Sequence, residues 1–480
     1  MTVKAVVSFP RMSEDVQSYF YNSLSEVDVE VIAVLTADSN SAGKLKPDAN
    51  IYAWGVGRKN KTWSEFFDIE YFNIIACKTR ASLLPLVDRY GTPGLGSFDA
   101  ELKLAEAFSR AQEIIENNRP DIILFMKEPE NPIENFLYLI AKDKGIKTLF
   151  TRTGLFPYMR GLSQSWDTPM VTDEWKPHPD VIPLNNKFSL PDKVSDLTEK
   201  ELTNILAKGD DYIPIMESIN RDDLSWHKFF INCIRQAKRP KYFVSSLLYR
   251  NHGPIFKYQL LREYRKHQTS TDLSSGGIKV YFPLHLQPEI STMPRGGDFS
   301  NQLKAIKILS DSLPVNARIW VKDHPTTFSQ HTPVTINFRS KNFYRELCSM
   351  PKVELRPIEE PSPKLQAKCD MVSTVTGTAG LESMIKGKPV ILFGNATYEN
   401  GPGVFRVKSH RDVFRLVEKF QAGGDLMSDQ GDAGEFIHSI EKNCNHRGAF
   451  YSLNREIKKE EVRKFSVDTV LMGIREFLHG

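Results

Sequence analysis

The sequence predicts an α/β protein made of two Rossmann-type domains, each a doubly wound parallel sheet, the two facing a cleft. Three observations carry that expectation. At 480 residues the chain is longer than one hydrophobic core usually serves. Strand and helix patterns alternate with short connectors in both halves, the mark of parallel strands covered on both faces. Between the halves lies TSTDLSSGG (269–277), a Ser- and Gly-rich joint after which the alternation restarts.

In the first half, VKAVVS (3–8) and VDVEVIAVLT (27–36) read as buried strands around a polar, partly helical stretch. A helical pattern from Ala100 to Asn117 leads through NNRPD into the strand DIILFM (121–126). A second helix, Ile133 to Lys144, leads through KGIK into TLFTR (148–152). The Pro-rich WKPHPDVIP, with His178, reads as a turn-bearing connector. In the second half, IKVYFPL (278–284), ARIWVK (317–322), DMVSTVT (370–376) and KPVILFG (388–394) are strands. Leu303, Ile306, Leu309 and Leu313 mark one helix face, and Thr378 to Lys386 is a further helix. The expected limits are 1–215 and 278–450 for the two α/β domains, 216–277 for a linker, and 451–480 for a C-terminal helical segment.

Hydrophobic residues at 40% and charged residues at 25% are ordinary for a globular chain. No stretch approaches the ~18 apolar residues of a spanning helix, and MTVKAVVSFPRMSED lacks a signal-peptide pattern. The expected location is therefore cytoplasmic. Five scattered cysteines without a CxxC pair predict neither a disulfide framework nor a zinc site. A net charge of +4 does not argue for nucleic acid. The basic residues concentrate in 228–267, interleaved with aromatics, with Glu263 alone opposing them. Such a stretch suits a solvated pair of linker helices, or peripheral contact with the anionic inner face of a membrane.

Three stretches fall just past strands of the second half, where open α/β sheets keep ligands. The first is YFPLHLQPEIST, with His285, Gln287 and Glu289 held between Pro283 and Pro288. The second is VKDHPTT, where Lys322 and His324 suit a nucleotide phosphate or a leaving group's charge. The third is STVTGTAGLESMIKGKPVILFG, whose Thr376, Gly377 and Thr378 sit at a strand-to-helix turn that offers free amides and a positive dipole end. Glu382, one turn on, suits a ribose diol. The plainer alternatives remain open here: a satisfied strand-end turn, an N-cap at Thr378, and a dipole-complementing Glu382.

PLHLQPE, VKDHP and TGTAGLESMIKGKPVILFG, with ATYENGPGVF downstream, resemble bacterial capsule and surface polysaccharide biosynthesis glycosyltransferases of the Kdo-transferase type, in which QP and HP recur as paired signatures. The resemblance is strong over 278–405 and weaker over 120–165. It implies a GT-B-like fold, an inverting and metal-independent transfer, and CMP-Kdo as donor without a separate cofactor. It also implies that His324 contacts the nucleotide or its phosphate, that Thr376–Thr378 grips phosphate and that Gln287 lines the donor site. The acceptor would be a glycan or glycolipid.

Inversion needs a base for the acceptor hydroxyl. Several relatives place an acid directly before a glycine after a first-domain strand, whereas FTRTG here has Thr153 before Gly154. Glu128 and Glu130 in KEPENPIEN, just past DIILFM, are the substitute candidates. Glu134 reads as a first-turn helix residue, and Ser97 with Asp99 as a helix start. Arg11, Arg152 and Arg160 are candidates for binding an anionic acceptor or a donor carboxylate. Rival readings are a CDP-polyol phosphotransferase, a nucleotide-sugar epimerase, and a non-catalytic glycan-binding partner in capsule assembly.

Overall fold

The structure is a computed structural model. It describes all residues other than 1, 10–13, 37–41, 45, 55–63, 78, 91–96, 157–158, 183–192, 208–253, 272, 274–276, 288, 290, 330–337, 425, 428–430, 444–445, 448–458 and 480. Arg11 and most of the basic stretch therefore lie outside the described residues. The chain divides into two α/β units, one comprising Met1–Gly91, Ser97–Thr198 and Gly434–Gly480, the other Thr92–Gly96 and Glu199–Ala433.

The first unit holds strands β1 (Val3–Phe9), β2 (Val29–Thr36), β3 (Asn50–Ala53), β4 (Ile122–Phe125), β5 (Lys147–Thr153) and β6 (Met159–Ser163), with β13 (His446–Arg447) from the far end of the chain. Their order is β13-β6-β5-β4-β1-β2-β3. β1 to β5 run parallel; at one edge β6 runs against them and β13 pairs antiparallel with β6. Ala5, Val7 and Phe9 face helices Glu14–Leu24 and Lys459–His479, the latter contributing Val467, Val470, Leu471 and Ile474 to the same core. The Tyr19 hydroxyl donates to Asp468 across this helix pair. On the other face, helix Pro132–Asp143 starts where the residue types demand. Asn131 caps the Glu134 amide at 2.9 Å and Pro132 takes the first turn, an arrangement worth about 1 kcal/mol.

The second unit holds β7 (Lys279–Pro283), β8 (Arg318–Lys322), β9 (Val353–Leu355), β10 (Met371–Thr374), β11 (Val390–Leu392) and β12 (Val404–Arg406). All pair in parallel, in the order β12-β11-β10-β7-β8-β9. Alternation along β7 and β8 puts Val280, Phe282, Ile319 and Val321 into one core and Tyr281 and Trp320 into another. Both faces are covered, as in a doubly wound sheet. Helix Pro254–His267, the described part of the basic stretch, buries Leu260, Leu261 and Tyr264 in the larger core. Arg262, Arg265 and Lys266 stay exposed, while Lys257 is fully buried, contrary to the expectation of a solvated charge.

Each sheet reverses direction of growth once. In the first unit the reversal lies between β1 and β4, in the second between β7 and β10. These switch points leave a crevice at the strands' carboxyl ends.

Candidate functional site

In the second unit the loops after β7, β8 and β10 meet around the switch point. His285 follows β7 and bridges it. Its Nε2 lies 3.0 Å from the Thr374 hydroxyl and accepts the Thr376 amide at 3.3 Å. Thr374 Oγ1 in turn accepts the Gly377 amide at 3.0 Å. This pattern assigns the imidazole proton to Nδ1. A Cβ at position 377 would stand 2.9 Å from Thr374 Oγ1 and 3.0 Å from His285 Cε1, so only glycine lets the turn close on the histidine.

Burial pushes the His285 pKa down from 6.5 to about 3, and the charges of Arg339 and His324 push the same way. A histidine held neutral in the fold and ordinary in the unfolded chain stabilises fully above pH 6.5, and that contribution is lost as pH falls toward 3. His285→Gln keeps an acceptor for Thr376. It is expected to remove on the order of 3 kcal/mol of the acid destabilisation between pH 6.5 and 4, read as a shallower fall in urea midpoint. A slope equal to wild type would show that His285 is not held neutral.

The amides of Thr376 and Gly377, expected to be free for phosphate, are thus already engaged, and the Thr376 hydroxyl donates to Ser291 O. The open donors at the start of helix Thr378–Ile385 are the amides of Thr378 and Ala379. Thr378 is exposed, and Gly377 caps the helix without a side-chain bond. The Tyr398 hydroxyl donates to Gly377 O over Gly380, whose missing side chain makes room for it.

His324 follows β8, half-buried, with Nδ1 accepting the Thr326 amide at 3.2 Å. In the neutral ring the proton then sits on Nε2. Asp323 beside it is saturated. Oδ1 accepts the His324 amide (2.8 Å) and the Thr327 hydroxyl (2.9 Å), and Oδ2 accepts Arg339 Nε (2.8 Å) and the Tyr344 hydroxyl (2.6 Å). Arg339, fully buried, also donates to Gln287 Oε1 at 3.0 Å and His285 O at 2.8 Å. Lys257 supports the same loop from behind, donating to Thr327 O at 2.7 Å. Burial lowers the Lys257 pKa to about 7, against the attraction of Asp323.

Gln287 uses both ends of its amide inside this framework, Nε2 donating to Ser300 O at 2.6 Å. Glu289 is half-buried, and its carbonyl accepts the Thr292 and Met293 amides. Lys322 and Glu382 both reach helix Ser362–Lys368. Lys322 donates to Ser362 Oγ at 3.0 Å and Glu382 accepts from Gln366 at 3.2 Å. Alternation explains Lys322, which shares the face of Trp320 two residues earlier. His285, His324 and the Thr376–Thr378 turn are therefore brought together, while Lys322 and Glu382 are engaged elsewhere.

The carboxyl edge of the first sheet carries the acids. Glu134 is buried at the switch point, accepting from Ser8 Oγ and from the Glu130 amide. Burial raises its pKa. Glu128, just past β4, accepts the Thr153 amide at 2.8 Å, with the Thr153 hydroxyl 3.5 Å from its other oxygen. Arg160, opposite Thr153 on β6, donates to that hydroxyl. Glu130 pairs with Lys127, whose ammonium also lies 4.5 Å over the Trp54 ring. Arg152 is buried and donates to Ser165 O at 3.3 Å. A separate pocket lined by Lys4, Lys46, Asn50 and Asn118 lies at the opposite, amino-terminal edge of this sheet.

Among the described residues no group of three or more His, Cys, Asp or Glu is arranged to hold a metal ion, and no helix is long and apolar enough to cross a membrane.

Residues 217–421 match the model of the family described as capsule polysaccharide biosynthesis protein. The resemblance carried by PLHLQPE, VKDHP and TGTAGLESM is thus shown over the stretch that builds the second unit's site. Comparison with curated proteins finds no match. Among solved structures, the β-Kdo 2,7 transferase KpsC of Thermosulfurimonas dismutans is similar at 12% identity, covering 84% of this chain and 97% of its own, with a TM-score of 0.28. A glycosyltransferase from Rickettsia africae is 13% identical over 92% and 94%, with a TM-score of 0.27. The UDP-GlcNAc 2-epimerase of Neisseria meningitidis bound to UDP-GlcNAc is 13% identical over 98% and 99%, with a TM-score of 0.22. Likeness at such scores is too slight to bear on function.

Proposed function

We propose that the protein is a glycosyltransferase of capsular or other surface polysaccharide synthesis. The observation that carries this is the meeting of His285, His324 and an open helix start at the β7/β10 switch point, within the stretch that matches the capsule family. The donor is a CMP-activated sugar, Kdo-like first, and the acceptor a glycan or glycolipid. His324 Nε2–H and the amides of Thr378 and Ala379 supply donors for the phosphate, with His285 fixing the turn that presents them. Glu289, half-buried on the loop after β7, is a further candidate for the nucleotide.

Glu128 is the first candidate for the base and Glu130 the second, with Arg152 and Arg160 as acceptor-side cations. The acceptor hydroxyl gives its proton to the carboxylate while its oxygen attacks the anomeric carbon. The bond from that carbon to the phosphate oxygen breaks on the opposite face, so CMP leaves with the electron pair and the configuration inverts. Donors aimed at the leaving phosphate stabilise the charge as it develops.

Calorimetric titration with CMP, CDP, UDP and GDP tests the reading. CMP is expected to bind best, and His324→Ala to weaken it about tenfold or more, equivalent to ~1.4 kcal/mol. A preference for CDP or UDP would favour polyol-phosphate transfer or epimerisation instead. Absence of binding by all four would sink the transferase reading.

A further inference from the structure

We infer that Arg339 and Asp323 are positioning residues of the donor site, an assignment that rests on the nucleotide reading of that site. Neither touches the reacting atoms. Their carboxylate–guanidinium pair, with both side chains at 0% exposure, ties together the two loops that carry the histidines. Arg339 Nη2 holds the His285 carbonyl at 2.8 Å and Nη1 holds Gln287 at 3.0 Å. Asp323 Oδ1 holds the His324 amide at 2.8 Å and, through Thr327 Oγ1, the turn that follows.

A single planar fork thus spans the ends of β7 and β8. Lysine at position 339 would keep the charge but not the fork, because an ammonium cannot present several donors in fixed, coplanar directions. The pair is also fully hydrogen-bonded at the carboxylate, the condition under which a buried ion pair specifies geometry without leaving a charge exposed to an apolar core. Lys257, a further buried cation here, donates to the Thr327 carbonyl and reinforces the loop from its far side.

Two variants separate positioning from stability. Arg339→Lys keeps a buried cation. The double variant Asp323→Leu, Arg339→Met removes both charges together, a replacement that well-packed apolar groups can tolerate. Both are expected to unfold cooperatively in urea, yet to bind CMP at least tenfold more weakly than wild type. The imidazole 15N resonances of His285 and His324 are expected to shift even without nucleotide. CMP binding within twofold of wild type, with unmoved imidazole resonances in Arg339→Lys, would overturn the inference, and that variant decides alone should the double variant fail to fold. Wild-type protein that does not bind CMP would instead defeat the functional reading, and the ligand-free imidazole resonances would still judge the positioning role.

Discussion

Replacing Arg339 alone by methionine is expected to lower the unfolding free energy by about 3–5 kcal/mol, because it strands the Asp323 carboxylate in an interior without its countercharge. Three donors would remain on that carboxylate, from His324, Thr327 and Tyr344, but none of them carries a full charge. Urea unfolding of the single and double variants checks this. The double variant Asp323→Leu, Arg339→Met should recover most of the loss, a strong non-additivity of the kind that contacting partners show. A single-variant loss below about 1 kcal/mol would mean that water or a rearranged side chain compensates the carboxylate, and that the pair is not the keystone its geometry suggests.

Glu128→Gln is expected to cut turnover by about 10²–10⁴-fold while leaving nucleotide affinity unchanged, the range for loss of a positioned general base. The substitution is nearly isosteric, and its amide oxygen still accepts the Thr153 amide that Glu128 now holds at 2.8 Å. Stability should therefore move little, and an activity loss would report chemistry rather than folding. Single-turnover assays with a CMP-sugar and an acceptor oligosaccharide separate the chemical step from binding. Full activity in this variant with loss in Glu130→Gln would move the base two residues along the loop.

The carboxylate at the Thr153 amide also explains why linear reading found no acid before Gly154. In the fold, the strand next door delivers one there. Glu128 and Thr153 lie 25 positions apart and meet because β4 and β5 are paired neighbours. The long apolar runs β1, β2, β7 and β8 were legible because burial on both faces imposes continuous hydrophobicity. The strands β9 and β12 were not, since VEL and VFR each carry a charged residue and form no apolar run like the VILF that marks the equally short β11.

The site divides in the same way. His285, His324 and Thr378 stood out through proline-bounded loops and a helix start. Arg339 carried no local signal, being fixed by partners 16, 52 and 54 positions away. Nor can a helix-start argument foresee that the Thr376 amide is taken by a histidine 91 residues upstream. Lys257 looked like one more solvated charge in a basic run, and only packing reveals that it is buried.

The first unit is assembled from both ends of the chain, with helix Lys459–His479 and the edge strand β13 completing a sheet begun at Val3. The second unit takes in the continuous span Glu199–Ala433. During synthesis, domains ordinarily mature in the order in which they emerge. Here the order is inverted: the second-encoded unit can close while the first still waits, with one flank of its hydrophobic core open, for helix Lys459–His479 to leave the ribosome. A stop codon ahead of Lys459 would therefore damage the region translated first.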